Sequence, residues 1–459
     1  MESTPLNYSC LESVLKHTDM NKRLQLKARC SSIKQLENKV PLEIDTLDLS
    51  GDHLVVNGTE YRIGIIQKYP NDQIPNYVKF ELEDGGCFND LNEFGGFCFD
   101  QNVVLMPGDI DLMKKRPNYP DRVIDESDIE KTEKEIEEYK KRLEELRSIW
   151  GKTIFSFDEL RKFEIEFGVL ADRPIVSLTE LPIAPNSNEK IRALHDQKEL
   201  ILLIFREKGR LQRLVNFRDK IRPEYLVQLT IKSPTGEKRV EYGKYTGKLR
   251  ESHKALLNFI LGDRSCPITV QKLIVSHETV IRAPIGLKLR IRELKIVEKS
   301  YDQRFKKTFN QLKPILEESS IPLRSLEVPS TTRSIFNHEV VRTAGKLIVQ
   351  WRRPLRDVLE IYTDLPIQRV ITEINYTPPE HFLDFIQRWK EAGRPIGTHY
   401  SFTVFKRFPL KPILNLLQQN AISKGKNWVV IPFNEVSNLK VSRMASYELS
   451  FEVVELLSE

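Results

Sequence analysis

Residues 273–297 read LIVSHETVIRAPIGLKLRIRELKIV, a stretch that opens on one short apolar run and ends on a second, LKIV from Leu294. The signature recurs downstream as LEV from Leu326, LIV from Leu347 and a run from Val370, so that successive starts lie 21, 32, 21 and 23 residues apart. Short apolar runs of this kind predict strands. Their spacing sits around the ~20–29 residues of a leucine-rich repeat. Helical or irregular pieces such as Phe305 to Glu318 and Glu380 to Lys390 lie between them, so each unit would be a strand, a crossover and a return. The expectation for residues 223–459 is an irregular, leucine-rich-repeat-like α/β sheet with helices. An ordinary α/β sheet with right-handed crossovers would give the same alternation without a repeat.

Working outward, strands are expected at Tyr400–Val404, Trp428–Ile431 and Tyr447–Val454, the last needing a partner to avoid an open edge. Upstream, YLVQLTIKSPTGEKRVEYGKY (225–245) reads as a hairpin turning at Ser233-Pro234-Thr235-Gly236. Residues 151–222 read as helical, with Ser156 and Glu159 as a capping box. A long charged helix is placed at Glu189–Lys220 by Ile191, Leu194, Leu200, Leu203, Ile204, Leu211 and Leu214, and Pro223 ends it. Ser127 and Glu130 form another capping box ahead of a coiled-coil-like helix over 126–150. Its seam is Ile129, Thr132, Ile136, Tyr139, Leu143, Leu146 and Trp150, at alternating spacings of three and four. That seam would serve homo-oligomerisation, or it would pack on its own protein.

Residues 41–112 alternate like strands, with Ile44, Leu47, Leu49, Leu54 and Val56 before an Asn57-Gly58 turn and Tyr61, Ile63 and Ile65 after it. A further strand is expected at Tyr77–Leu82, and the pairs Gly85-Gly86 and Gly95-Gly96 mark tight turns or close backbone approach. Residues 1–40 read as short helices carrying Leu11, Val14, Leu15, Leu24, Leu26, Ile33 and Leu36, with a turn at Asp19 to Asn21. The fold class is therefore α+β / α/β, in several segments.

Composition limits what such a chain does. Its 71 Lys and Arg nearly balance 65 Asp and Glu, so the net charge of +6 is a small difference between large numbers. The longest apolar run, Leu200 to Phe205, is far short of the ~20 residues of a membrane span, and no signal-peptide pattern opens the sequence. Five cysteines without a C-x-x-C pair argue against a disulfide framework or a structural zinc site, which places the chain in cytoplasm or nucleus.

No catalytic constellation is legible. His277-Glu278 and His338-Glu339 begin like H-E-x-x-H, but Ile281 and Arg342 stand where the second histidine belongs. Gly243, Gly247 and Lys248 fall one residue short of a phosphate loop, and Leu249 replaces its Ser or Thr. The basic groups Lys288, Arg290, Arg292 and Lys295, then Arg352, Arg353 and Arg356, then Lys406, Arg407 and Lys411, would make an anionic-ligand surface near Trp351 and Tyr362, or merely solvated charge among Glu293, Glu298, Asp357 and Glu360. No enzyme activity, cofactor or metal is expected.

The segment PLNYSCLESVLKHTDMNKRLQLKARCSSI resembles an F-box, the helical module that docks on the Skp1 adaptor of cullin-RING ubiquitin ligases. The blocks NKRLQLKARCSSIKQLENKVPLEIDTLDL, VNGTEYRIG, QLTIKSPTGEKRVEY, LLNFILGDRSCPITVQKLIV and PLRSLEVPS, in this order, resemble the nematode F-box C family and its long domain of unknown function. The resemblance implies a substrate-recruiting subunit of an SCF-type ligase. Pro5, Leu6, Leu11, Val14, Leu15, Leu24, Leu26 and Ala28 would meet a Skp1-like adaptor, and the C-terminal region an unknown protein target. The alternatives are a leucine-rich-repeat-like scaffold without ligase contact and a weak nucleic-acid binder.

Overall fold

Alternating apolar residues make the strands, and 3.6-residue periodicity the helices, of a computed structural model. It describes residues 8–456 apart from 51–52, 70–73, 76–77, 80–81, 83–84, 99–102, 114–125, 153–154, 156–186, 277–278, 298–304, 330–332, 351–358, 375–377, 405–410 and 446. Pro5, Leu6 and the Ser156–Glu159 capping box lie outside the described residues.

The chain opens with α1 (Tyr8–His17), α2 (Met20–Arg29) and α3 (Ser31–Lys39). Asp19 starts α2 by accepting the backbone N–H of Asn21 at 2.9 Å, satisfying a donor that the first helical turn leaves bare. Next come β1 (Glu43–Leu49), β2 (His53–Val56) and β3 (Thr59–Lys68). Asn57 and Gly58 turn the β2–β3 hairpin with φ of 48° and 78°, the left-handed pair that a two-residue hairpin loop requires. Short strands β4 (Asp90–Leu91), β5 (Phe97–Cys98) and β6 (Ile110–Asp111) follow. At Gly64 an added Cβ would sit 2.3 Å from the Gly85 carbonyl oxygen, so the glycine pair at 85 and 86 is a close backbone approach. The strand expected at Tyr77–Leu82 is not there: Val78, Lys79 and Leu82 are helical, and Lys79 N–H bonds back to Pro75 C=O.

Two long helices, α4 (Glu126–Trp150) and α5 (Ser187–Arg218), precede the hairpin β7 (Glu224–Lys232) and β8 (Lys238–Lys244). Then come α6 (Leu249–Leu261), β9 (Ile268–Ser276), β10 (Val280–Ile281), β11 (Leu289–Val297), α7 (Phe305–Leu312), β12 (Ser325–Pro329), α8 (Glu339–Arg342) and β13 (Leu347–Gln350). The chain continues through α9 (Leu359–Asp364), β14 (Arg369–Ile374), α10 (Pro379–Ala392), β15 (His399–Val404) and α11 (Lys411–Leu417). It closes with β16 (Ser423–Lys424), β17 (Trp428–Asn434), β18 (Ser437–Ala445) and β19 (Glu448–Glu455).

Fifteen of these strands form one mixed sheet in the order β16-β17-β18-β19-β15-β14-β13-β12-β11-β9-β1-β2-β3-β7-β8. From β1 through β9, β11, β12, β13 and β14 to β15 every pairing is parallel. Residues in register build a single buried row: Leu47, Leu273, Leu294, Leu326, Leu347, Val370 and Tyr400, continued by Phe451 on β19. These are the starts of the apolar runs read in the sequence. Helices pack on this row: Phe382 and Phe385 of α10 meet Phe402 and Phe451, Trp389 meets Tyr400, and Tyr362 of α9 meets Tyr400. Each such side chain contributes about 1.5–3 kcal/mol by leaving water. Strand β19 lies between β15 and β18, so neither of its edges is open.

Segments 41–112 and 223–459, read separately in the sequence, share this sheet because β1 pairs with β9. The N-terminal helices join it too. Met20 and Leu24 belong to the same core cluster, and the Glu37 side chain, fully buried, faces three cations. Arg23 lies 3.0 Å from it, Lys27 3.3 Å and Arg264, from the loop after α6, 2.6 Å. Burial works against the Glu37 charge, but Arg264, Lys27 and Arg23 outweigh it and hold the carboxyl below its ordinary range.

Two outcomes follow for urea denaturation. A carboxylate whose folded pKa lies below its unfolded value, about 4.3, stabilises fully above that value and loses its contribution as pH falls through the folded one. Stability should therefore drop on acidification below about pH 4, and Glu37→Gln should remove this component. At neutral pH the same substitution should cost about 3–5 kcal/mol, because three buried cations lose the carboxylate that they share.

Candidate functional site

With helices on one side of the parallel strands, the other side is the more exposed among the described residues, and which residues lie on it is set by strand alternation. One row of this parity runs in register through the partly exposed Asp48, Ile274, Lys295, Glu327, Ile348 and Ile371, and on through Ser401 and Ser450, which are buried, to Ser442. In β1, β9 and β11 two adjacent residues turn outward together: Asp45 with Thr46, Gln271 with Lys272, and Arg292 with Glu293. This shared irregularity widens the polar face at the same level of three neighbouring strands.

The charges on this face compensate one another. Glu327 is 2.7 Å from Lys295 and 3.6 Å from Lys272, and it accepts a hydrogen bond from Gln350 at 3.2 Å. Glu293 is 2.9 Å from Arg324. Farther along, Ser401 Oγ donates to Glu448 at 2.8 Å, and His399 Nε2 lies 2.7 Å from Ser450 Oγ. Beyond these serines the face ends in a groove of about 390 Å³ between Trp428, Val430, Lys440 and Val454. Gly425 makes room for the indole, since a Cβ there would come 2.4 Å from Trp428 Nε1. A polar, self-compensated ladder ending in an aromatic groove suits a protein surface, where a few aromatic anchors carry most of the affinity.

The residues expected to dock on a Skp1-like adaptor divide. Leu15 is buried with Leu36 and Val40, with Leu11 packed against them, and Leu24 lies in the main core. These hold the helices together and are not free for a partner. Val14 (47% exposed) and Leu26 (37%) do face solvent, together with Ala28 and with Tyr8 (59%), which the sequence reading did not single out.

The seam of α4 is turned toward α5. Leu143 is buried with Leu200 and Ile204, and Tyr139, Leu146 and Ile201 pack on them. Ile129, Thr132 and Ile136 are buried as well, whereas Trp150, at the end of the helix, is partly exposed. Arg210 lies 3.5 Å from Glu135 and Gln197 bonds the Gly151 carbonyl, so the helices run antiparallel. Asn216 anchors the base of the pair by donating to Tyr69 Oη and the Phe94 carbonyl.

The remaining sequence candidates resolve as structure. His338, which begins the incomplete H-E-x-x-H pattern, is half buried: it caps α8 by accepting from Val340 N–H and packs edge-on against Phe305 and Phe309. Tyr362, expected near a basic surface, is fully buried and bonded to Thr372. Of the basic groups, Lys288 donates to the Pro314 carbonyl, Lys295 is held by Glu327, and Arg290 and Arg292 are exposed. Trp351, Arg352, Arg353, Arg356, Lys406, Arg407, His277 and Glu278 lie outside the described residues. Ligand atoms of His195, Asp196 and Glu199 on α5 come within 4.8 Å of one another, and burial raises the Asp196 carboxyl. Among the described residues no helix is long and apolar enough to cross a membrane.

A family described as a domain of unknown function (DUF3557) matches residues 248–406, which run from the start of α6 to just past β15 and take in the parallel strands β9 and β11 to β15, while the N-terminal helices and the Trp428 groove lie outside the match. No curated protein and no solved structure matches the chain.

Because α5 already fills the α4 seam, sedimentation at micromolar concentration should show no self-association through this helix. Leu143→Asp should melt the pair, seen as reduced helical circular dichroism and faster proteolysis between residues 126 and 218, since a charge without a partner would enter its buried seam.

Proposed function

We propose that the chain is a non-catalytic adaptor joining two proteins. The N-terminal helices engage a Skp1-like subunit of an SCF-type ubiquitin ligase, and the leucine-rich-repeat-like open face engages the protein to be modified. The observation that carries this reading is the open face itself: among the described residues the parallel sheet is covered on one side only, with a compensated polar ladder and the Trp428 groove on the other. One-sided stacks of strand and crossover present extended binding surfaces of this kind. The resemblance of residues 5–33 to an F-box supplies the ligase side, and Tyr8, Val14, Leu26 and Ala28 supply solvent-facing side chains for helix-in-groove docking. A place in cytoplasm or nucleus accompanies this role.

A second reading, a scaffold without ligase contact, is favoured by one observation: Leu15 and Leu24 are committed to the core, which thins the docking set. Nucleic-acid binding is disfavoured by the pairing of Lys272 and Lys295 with Glu327.

Deleting residues 1–40 would strip Arg264 of Glu37, so the test uses point variants of the full chain. Val14→Asp with Leu26→Asp should weaken capture of a purified Skp1-type protein at least tenfold, about 1.4 kcal/mol, with an unchanged thermal midpoint. Leu15→Asp should instead lower the midpoint. Equal capture by the Val14/Leu26 variant and the parent would remove the proposed docking face.

A further inference from the structure

The two ends of the large sheet are finished differently. At one end β16 has only two residues, a length that offers little to an incoming strand. At the other, β8 pairs with β7 residue for residue from Lys238 opposite Lys232 to Lys244 opposite Leu226, and among the described residues no strand pairs with its far side. Seven residues in unbroken register leave roughly half of the strand's N–H and C=O groups pointing outward, a template for another strand. No proline or bulge interrupts β8, and six of its seven residues are exposed.

Its side chains define what fits. Strand alternation puts Lys238, Val240, Tyr242 and Lys244 on one face, so two lysines flank an apolar centre, and Tyr242 is 63% exposed. The other face carries Arg239, ion-paired with Glu241, and Gly243, whose missing Cβ would meet nothing within 4 Å. Three cations against one anion give the strand a net charge of +2. A second copy of β8 would bring like charge to like, and the antiparallel register that pairs all seven residues would set Glu241 against Glu241 and Lys238 against Lys244. Such oppositions are destabilising. An acidic strand reverses both effects.

We propose that β8 is a strand-addition site for an extended acidic peptide segment of a partner protein, with carboxylates against Lys238 and Lys244 and apolar residues against Val240 and Tyr242. Backbone pairing gives the affinity and these side chains give the selectivity. The site is separate from the N-terminal helices and from the open face, so it stands or falls independently of the adaptor reading.

The test is fluorescence anisotropy on the full chain with three labelled probes. The first is the acetylated peptide Glu-Thr-Val-Thr-Val-Thr-Glu, the second has Lys for both Glu residues, and the third is the first with alternate backbone nitrogens methylated on its pairing edge. The acidic probe should bind saturably at micromolar concentration, and the other two at least tenfold more weakly. Lys238→Glu with Lys244→Glu should weaken the acidic probe at least tenfold and favour the Lys probe. Equal binding of the methylated and parent probes would overturn strand addition and leave charge attraction alone. Sedimentation showing a dimer, with no binding of the acidic probe, would give the edge to a second copy of this chain and overturn the proposal equally. Should the double variant fail to fold, the three probes on the parent chain decide the matter.

Discussion

Parallel strands joined by connections that all pass over one face leave the other face with nothing to cover it. In this chain the constraint propagates from a single buried row, Leu47 through Phe451, on which α9 and α10 lie. Side chains of the opposite parity are then mostly left part exposed. They are lysines, glutamates and three partly exposed isoleucines, Ile274, Ile348 and Ile371, with the buried Ser401 and Ser450 satisfied by Glu448 and His399. A sheet wound on both sides would have made these positions apolar as well. The polar ladder is thus a consequence of the topology.

The rest of the chain is fastened to this sheet through buried carboxylates that each face more than one cation. Glu37 meets Arg23, Lys27 and Arg264, and so joins the first helices to the loop after α6. Asp109 plays the same part for the loop before β6. It lies 2.8 Å from Lys254 on α6 and 2.5 Å from Arg282 after β10, while Lys254 also donates to the carbonyls of Pro107 and Ala283. Breaking such a pair is costly because the remaining charge stays buried. These networks therefore contribute more to where the segments sit than to net stability.

Local patterns were legible, and long-range partners were not. The apolar runs at Leu273, Leu294, Leu326, Leu347 and Val370 read as strands because burial on one face fixes parity, and Asn57-Gly58 read as a turn because few residues tolerate its backbone. The parallel pairing of β1 with β9 is invisible locally, since Leu47 and Leu273 are more than two hundred residues apart and an alternating strand does not name its neighbour. Charged core residues such as Glu37 look like surface in any reading based on polarity. Tyr77–Leu82 was misread because a short run with mixed apolar spacing fits both periods. The α4 seam stated that a partner helix exists; only the structure names α5. Within the candidate docking set, sequence could not separate Leu15 from Val14, adjacent residues of which one faces α3 and the other solvent.

A continuous core also fixes distances. Nine strand steps separate β1, beside the N-terminal helices, from β17, which carries Trp428. At about 4.8 Å per step this is roughly 43 Å along the sheet, and less across it once the sheet curves. On the adaptor reading this span matters, because a partner held at one end and a target held at the other are kept at a set separation by the strands of one sheet. Effective concentration between two bound proteins depends on such geometry, and falls to nothing when a tether cannot span the sites. A protein whose one-sided sheet leaves a long face open, and whose helices are clamped to that sheet by buried ion networks, has the rigidity that this kind of bridging demands.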